Sequence, residues 1–221
     1  MCPNDGGELT LSATLLVLHA VPSLDPQHGG PSRTVVALAD ALARRDDCRV
    51  GLVSQGLSGA VLVASTEDAV LRQIAETDTR LALALGLAFR QGLQRACEAL
   101  SPPLIHSHGV WHASNHWAAW AARRRRVPLV IQPRGMLEPW ALGRKAWKKR
   151  LAMALYQGQD LALARVLVAT AEMEFEHLRR LGLRQPVAVI PNGVALRAVA
   201  SGHAGLTQPS EGTAPGVGEH R

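Results

Sequence analysis

Short apolar segments alternate with helical patterns along most of this sequence. Buried strands are predicted at 14–21, 49–54, 104–107, 129–132, 165–169 and 187–190. Helices are predicted after Pro31 and at 81–100, 113–126, 139–157 and 171–181. A strand, a helix and a second strand in this order form a crossover unit, which implies parallel strands. The pattern therefore predicts a three-layer, Rossmann-like α/β domain with a mostly parallel sheet.

The stretch 55–79 is harder to assign, and only a short strand at 61–64 and a weak helix near 67–76 are predicted there. Residues 13–194 are expected to form the domain, after an N-terminal extension at 1–12. Residues 195–221 contain five glycines and two prolines with few large apolar side chains, and are expected to be a disordered tail.

Composition excludes several classes of protein. With 47% hydrophobic and 19% charged residues in 221, the chain is typical of a compact globule. Its longest apolar stretches, such as 81–88, fall well short of the roughly 20 residues that a membrane span requires. Asp5 and Glu8 stand where a signal peptide would be basic, so a cytoplasmic location is expected.

Positive charge is concentrated in one segment. The formal net charge is +6, yet residues 123–150 alone carry +9, and all five tryptophans lie between 111 and 147. One helical face could carry Trp140, Trp147, Leu151 and Leu155, with Lys145, Lys148 and Lys149 mostly elsewhere.

Two interpretations of this segment remain open. In the simpler one, a surface helix packs its tryptophans inward. In the other, its cations and aromatic rings meet an anionic lipid surface at the inner face of the cytoplasmic membrane. Nucleic acid is not predicted as a partner, because no recognition motif accompanies the patch.

The candidate functional residues follow the predicted strands. His19 closes the first strand, the loop 28–33 (HGGPSR) follows it, His108 ends another strand, and Arg134 follows a third. In open parallel sheets, ligands bind at the carboxyl ends of the strands. Gly29 and Gly30 precede a helix, where backbone amides can approach a phosphate, although a plain structural turn explains the loop equally well.

Four histidines are close in sequence and raise the question of a metal site: His106, His108, His112 and His116. His112 and His116 would share a face if both were helical. The segment lacks the glutamate of a metalloprotease motif, and no cysteine or carboxylate lies nearby in sequence to complete the ligand set. No metal is predicted. The alternative is that the imidazoles bond loop carbonyls and that His108 alone faces the cleft.

In this order, four segments carry a family resemblance: HGGPSRTVVALADALARR, IHSHGVW, VIQPRGMLEPWALGRKAWKKR and ATAEMEFEHLRRLGLRQPVAVIPNGV. Together they resemble the N-terminal, acceptor-side domain of retaining glycosyltransferases of the GT-B fold, known as family 4 or group 1. The resemblance covers about residues 15–194.

The resemblance implies transfer of a sugar, of hexosyl type, from a nucleotide-sugar donor to a saccharide or lipid-linked acceptor in polysaccharide biosynthesis. It implies that Gly29, Gly30 and Arg33 bind the donor diphosphate. His108 and Arg134 would be catalytic, although many relatives have a histidine at the position of Arg134. Arginine can stabilise negative charge there but cannot act as a base. No bound cofactor is implied beyond the donor substrate.

A complete enzyme of this type has a second, nucleotide-binding domain with a Glu-x7-Glu motif. Glu211 and Glu219 have that spacing, but they lie in the Gly- and Pro-rich tail, so the match is interpreted as chance. The chain is expected to be one half of a GT-B enzyme, inactive alone, from a truncated or frame-shifted gene. A non-catalytic glycan-binding module acting with a separate donor domain is the alternative. A nicotinamide-dependent oxidoreductase is disfavoured, because the first loop lacks the glycine fingerprint.

Overall fold

A computed structural model describes residues 14–100 and 104–193. The expectations for 1–12 and for the tail at 195–221, with Glu211 and Glu219, lie outside the described residues.

Seven strands and eight helices make up the described part of the chain. The strands are β1 (Leu15–Ala20), β2 (Cys48–Leu57), β3 (Leu71–Thr77), β4 (Leu104–His108), β5 (Leu129–Gln132), β6 (Val166–Ala169) and β7 (Val187–Val189). The helices are α1 (Gly30–Ala43), α2 (Arg80–Leu85), α3 (Leu87–Ala99), α4 (Ala113–Arg125), α5 (Pro139–Gly143), α6 (Ala146–Ala152), α7 (Gly158–Leu163) and α8 (Glu172–Arg180). A 3-10 turn, Pro26–His28, precedes α1, and a π-helical turn, Met153–Gln157, joins α6 to α7.

The strands form one sheet in the order β3-β2-β1-β4-β5-β6-β7, and every pairing between them is parallel. The predicted α/β fold class is confirmed. Strand order reverses direction between β1 and β4, which are neighbours in the sheet. Crossover connections leave this point on opposite sides, so a crevice opens at the strand ends, where ligands bind in folds of this kind.

Core side chains cover both faces of the sheet. Val17 of β1 packs with Val35 and Val36 of α1, whereas its neighbour Leu18 packs with Leu93 of α3 and Ala118 of α4. Adjacent residues of a strand point to opposite faces, which explains this division. Because His19 follows Val17 by two positions, it lies on the α1 face of the sheet.

The prediction for 61–64 and 67–76 was wrong, because the structure has a single strand, β3, at Leu71–Thr77. This strand forms one edge of the sheet. Its sequence, LRQIAET, is polar because an edge strand exposes much of its surface, and charged residues there discourage pairing with other chains. Because this strand has few apolar residues, its sequence does not show the pattern of a buried strand.

Two predicted helices are interrupted. Gly86 adopts φ 62°, which ends α2 before α3 begins. Lys145 adopts φ 54° between α5 and α6. A positive φ falls outside the right-handed helical region, so each residue breaks the helical hydrogen-bond series. The segment predicted as one helix at 139–157 is therefore α5, α6 and the π-helical turn.

Candidate functional site

Three histidines meet on one face of the sheet at the reversal of strand order. His19 of β1 lies beside His106 of β4 in the parallel register, and His108 follows His106 by two positions on the same face. Nδ1 of His19 lies 3.0 Å from Nε2 of His108. The ring centroids of His106 and His108 are 4.1 Å apart. We call His19, His106 and His108 the histidine trio.

Burial keeps the histidine trio uncharged at neutral pH. Burial, and secondarily the charge of Arg134, lowers the pKa of His19 to about 4. Burial also lowers the pKa of His106 and of His108 well below the ordinary value, and repulsion from neighbouring imidazoles and from Arg134 acts in the same direction. A charged imidazole would lose its hydration in this environment. The trio therefore offers lone pairs and N–H groups rather than positive charge.

Arg134 supplies the fixed positive charge beside the trio. Its Nε and Nη2 lie 3.4 Å and 3.3 Å from Nδ1 of His108. Nη1 donates to Oγ1 of Thr34 at 2.9 Å and to Oδ1 of Asn192 at 3.3 Å. Burial lowers the pKa of Arg134 to about 10, so the guanidinium stays protonated at neutral pH. These hydrogen-bond partners are all neutral groups.

The partners of His108 assign its protons. Arginine can only donate, so Nδ1 of His108 accepts from Arg134. Its proton then lies on Nε2, which donates to Nδ1 of His19. The side-chain amide of Gln132 lies 3.2 Å from the same Nδ1, and its NH2 group becomes a second donor when the amide is turned end for end.

Glu174 fixes the loop that carries Arg134. Arg134 and Gly135 both have positive φ, at 56° and 73°. The Gly135 amide donates to Glu174 at 2.7 Å, and the amide and hydroxyl of Thr170 donate to its other carboxylate oxygen at 2.7 Å and 2.8 Å. Glu174 is buried in the first turn of α8. Its negative charge also raises the pKa of Arg134, against the larger effect of burial.

A cavity of about 740 Å³ opens at these strand ends. His108 and Arg134, the predicted catalytic pair, both line it. Other lining residues include Ser32, Gln55, Arg80, Trp111, His112 and Met136. A volume of this size suits a small ligand or one end of a larger one.

The predicted phosphate-binding residues lie at the start of α1. Gly29 and Gly30 are exposed, with open space where a side chain would project, and Gly29 adopts φ 90°. The next two residues, Pro31 and Ser32, line the cavity. Arg33 is exposed, and its side chain is not among those that line the cavity. Donor binding by Gly29, Gly30 and Arg33 stays a prediction.

The four histidines of the 106–116 segment separate into two groups. His112 is extended at the N-terminus of α4 rather than helical, so it does not share a helical face with His116. Nδ1 of His116 pairs with Asp160 at 2.9 Å. His112 lines the cavity, so the expectation that His108 alone faces the cleft was wrong. Instead of bonding loop carbonyls, His106 and His108 contact each other and His19.

The histidine trio is also the set of described residues best arranged for a metal ion. One nitrogen from each imidazole lies within 4.8 Å of the others, and neutral imidazole is a common ligand for zinc. The guanidinium of Arg134 contacts the same trio and repels a divalent cation. The expectation of no metal remains a prediction.

Sequence reasoning placed His108 and Arg134 at strand ends but did not connect them with Glu174 or Gln132. Glu174 lies 39 residues after Gly135, in the segment ATAEMEFE. Its position in the first turn of a helix that follows a strand is the one signal that could have suggested a role in binding backbone amides.

A family profile described as a glycosyl transferase 4-like domain matches residues 29–193, which is most of the chain and includes His106, His108 and Arg134. His19 lies before the matched region. The chain belongs to this family. The matched region starts at the loop before α1 and ends just after Asn192.

Solved structures show the same fold as this glycosyl transferase 4-like domain. Sucrose-phosphate synthase from Thermosynechococcus elongatus is 19% identical with a TM-score of 0.54, over 80% of this chain and 48% of that protein. HepE from Anabaena, solved with UDP and glucose, is 17% identical with a TM-score of 0.51, over 81% and 45%. A putative UDP-N-acetylglucosamine 2-epimerase from Listeria monocytogenes is 13% identical with a TM-score of 0.56, over 79% and 45%.

The glycosyl transferase 4-like domain thus spans about half the length of these proteins, and its fold corresponds to one half of a GT-B architecture. Comparison with curated protein sequences gave no significant match. Among the described residues, every helix is too short or too polar to cross a bilayer.

Proposed function

We propose that this domain is the acceptor-side half of a retaining glycosyltransferase of family 4, or group 1. The enzyme would transfer a hexosyl group from a nucleotide-sugar donor to a saccharide or lipid-linked acceptor in polysaccharide biosynthesis. Membership of the glycosyl transferase 4-like family supports transfer. HepE, which shares the fold, has been solved with UDP-glucose, which supports a nucleotide-sugar donor.

One observation carries the proposal. Arg134 is a half-buried cation in the cavity at the strand-order reversal, and its hydrogen bonds go to neutral groups. Burial of a charge without an opposite charge in contact is costly, so the site favours an anionic ligand. A diphosphate leaving group gains negative charge during sugar transfer, and a fixed guanidinium stabilises that charge best in the transition state.

The start of α1 would supply the second contact to phosphate. Thr34, the fifth residue of α1, accepts from Arg134, so the guanidinium lies close to the N-terminal end of this helix. Amides at a helix N-terminus favour an anion. The glycines at 29 and 30 leave this approach open. His108 would line the cleft beside the reacting sugar.

The isolated chain is expected to bind nucleotide diphosphates weakly and to transfer no sugar. Transfer requires the donor to be held against the acceptor with its diphosphate charge compensated. This chain supplies one wall of that cleft. Isothermal titration with UDP is expected to give a Kd of about 1 mM or weaker, about 4 kcal/mol of binding free energy. Arg134→Ala should remove even this binding.

Micromolar affinity for UDP, or acceptor glycosylation coupled to nucleotide release by the purified chain, would contradict the half-enzyme proposal. It would also favour Glu211 and Glu219 as the Glu-x7-Glu motif. A protein that binds glycans but does not transfer sugar when joined to a donor-binding half would favour the alternative, a non-catalytic glycan-binding module.

The basic segment exposes large apolar side chains beside its cations. Trp140 is 66% exposed and Trp147 is 67% exposed, so neither tryptophan packs inward. Leu151 and Leu155 are exposed as well, and Lys145, Lys148 and Arg150 lie beside them in the chain. We infer that this surface contacts anionic lipid at the inner face of the cytoplasmic membrane, where apolar and cationic side chains act together.

Lys149 differs from the other cations of this segment. It is half-buried, its Nζ donates to the carbonyl of Ala141, and it lies 5.7 Å from the ring centroid of Trp111. Its contribution is to packing, although the sequence had grouped it with the membrane-facing cations. The charge-reversal test below therefore leaves Lys149 in place.

Charge reversal at Lys145, Lys148 and Arg150 to Glu is expected to abolish binding to anionic vesicles. Each basic residue near such a surface contributes about 1 kcal/mol, so loss of three weakens partitioning at least roughly 100-fold. Co-sedimentation with phosphatidylglycerol-containing vesicles measures this, and binding should weaken with added salt.

A matched control reverses the exposed arginines at 49, 72 and 95, which changes the net charge equally on other elements. Equal binding to neutral vesicles, or equal loss in the control, would contradict the assignment of the surface.

A further inference from the structure

Trp111 has a backbone conformation that its side chain disfavours. Its φ is 78°, in the left-handed region where a bulky residue is an outlier. A residue held there costs of order 1–3 kcal/mol and persists because its surroundings fix it. Strain of this kind clusters at binding and catalytic sites. Trp111 lies three residues after His108, the last residue of β4, and lines the same cavity.

Three hydrogen bonds hold Trp111 in place. Its amide donates to Oε1 of Gln157 at 2.8 Å, and its indole Nε1 donates to the carbonyl of Met136 at 3.2 Å. Its carbonyl accepts from the hydroxyl of Tyr156 at 3.1 Å. Both polar groups of the main chain and the polar edge of the indole are thereby satisfied within the protein.

Two of the three partners come from the π-helical turn. Tyr156 and Gln157 end that turn, and Gln157 is buried. An extra residue in a helical turn shifts the side chains that follow it, and π turns recur at functional sites for this reason. Here the shifted side chains reach Trp111, so the turn that interrupts the predicted long helix positions one wall of the cavity.

Trp111 is half-buried and lines the cavity. Because its Nε1 is bonded to protein, the indole offers the cavity apolar surface with no free donor. An aromatic face carries partial negative charge and attracts weakly positive C–H groups. The C–H-rich face of a pyranose ring fits this surface, and hydroxyl groups at the ring edge could reach polar side chains such as His112.

We propose that Trp111 is the platform on which a pyranose ring of the acceptor saccharide lies; this rests on the proposed function. Arg134 marks the anionic end of the cavity. Nζ of Lys149 in α6 lies 5.7 Å from the ring centroid of Trp111, so Trp111 is adjacent both to the cavity and to the segment with the exposed Trp140 and Trp147. A lipid-linked acceptor held at that surface would deliver its sugar at Trp111.

The test uses the full chain labelled with 5-fluorotryptophan, whose five fluorine resonances are assigned with single Trp→Phe variants. The probes are methyl pyranosides of glucose, galactose, mannose and N-acetylglucosamine. We expect at least one probe to shift the Trp111 resonance. Trp111→Leu should weaken the binding of that saccharide at least tenfold, equivalent to about 1.4 kcal/mol. It should change the affinity for UDP less than twofold.

Two further variants keep the test decisive. Trp111→Phe keeps an aromatic face and should retain most of the affinity, even if Trp111→Leu folds poorly. Trp120→Leu removes a half-buried tryptophan that does not line the cavity and should leave saccharide binding unchanged.

The proposal is overturned if no pyranoside shifts the Trp111 resonance, or if Trp111→Leu binds saccharide as the parent chain does. It is also overturned if the Trp111→Leu variant folds but no longer binds UDP, since the indole ring of Trp111 would then bind the nucleobase. Failure of the proposed function appears separately, as UDP binding that does not depend on Arg134.

Discussion

Acidification from pH 7.5 to about pH 5 is expected to remove a large part of the folding stability of this domain. Each member of the histidine trio is neutral in the folded protein, because burial lowers its pKa. In the unfolded chain each imidazole has a pKa near 6.5 and takes up a proton. One such group changes the free energy of unfolding by up to about 1.4 kcal/mol per pH unit.

The direction follows from proton uptake. The unfolded chain binds more protons than the folded protein between pH 6.5 and the folded pKa, which is about 4 for His19. The stability that depends on neutral histidines is therefore fully present above about pH 6.5, and it declines as the pH falls. The three groups interact and titrate as a set, with a combined slope of up to about 4 kcal/mol per pH unit. The total free energy of unfolding of a domain is typically only about 5–15 kcal/mol.

Asp40 does not contribute to the change in stability between pH 7.5 and about pH 5. Hydrogen bonds from Ser65 and Thr66 outweigh burial and lower the pKa of Asp40 below 3.8, so the stability it contributes is lost only in stronger acid. Denaturant unfolding at pH 7.5, 6.5 and 5.5 isolates the histidine contribution. His19→Gln, which cannot gain a proton, should reduce the slope by about a third.

Two results would show that the trio is charged or solvated in the folded protein. One is a free energy of unfolding that does not change between pH 7.5 and 5.5, and the other is the same pH slope in His19→Gln as in the parent chain.

Arg134→Ala is expected to lower kcat by about 10²–10³ in an enzyme that combines this chain with a donor-binding half. Removing one group that stabilises developing charge has effects of this size. The apparent KM for the donor should change much less, because the contact strengthens as the diphosphate departs. Steady-state kinetics with a nucleotide-sugar donor measure both constants.

Two variants separate charge from backbone effects. Arg134 adopts φ 56°, a conformation that glycine accepts without strain, so Arg134→Gly should lose the same activity as Arg134→Ala. Arg49→Ala, at an exposed position on β2, should retain normal turnover. Normal kcat in both Arg134 variants would show that this arginine takes no part in the reaction.

Local sequence patterns determined the fold class of this domain. Apolar runs of strand length, separated by helical spacing, require parallel strands with helices on both faces, since each element must bury its apolar side. The same patterns placed His108 and Arg134 at strand ends, because strand boundaries are marked by local composition. The polar edge strand β3 escaped this reasoning, since its stability comes from pairing with β2 rather than from burial of its own side chains.

Strand order was decided only by the tertiary structure. Pairing of β1 with β4 brings His19 to His108, 89 residues further along the chain, and no local pattern specifies that neighbour. The same holds for Glu174, which fixes the Arg134 loop through backbone amides that any sequence would offer. The sequence thus determined which chemical groups stand at the ends of strands. Packing of the whole sheet decided which of them meet, and long-range burial made three histidines neutral beside a charged arginine.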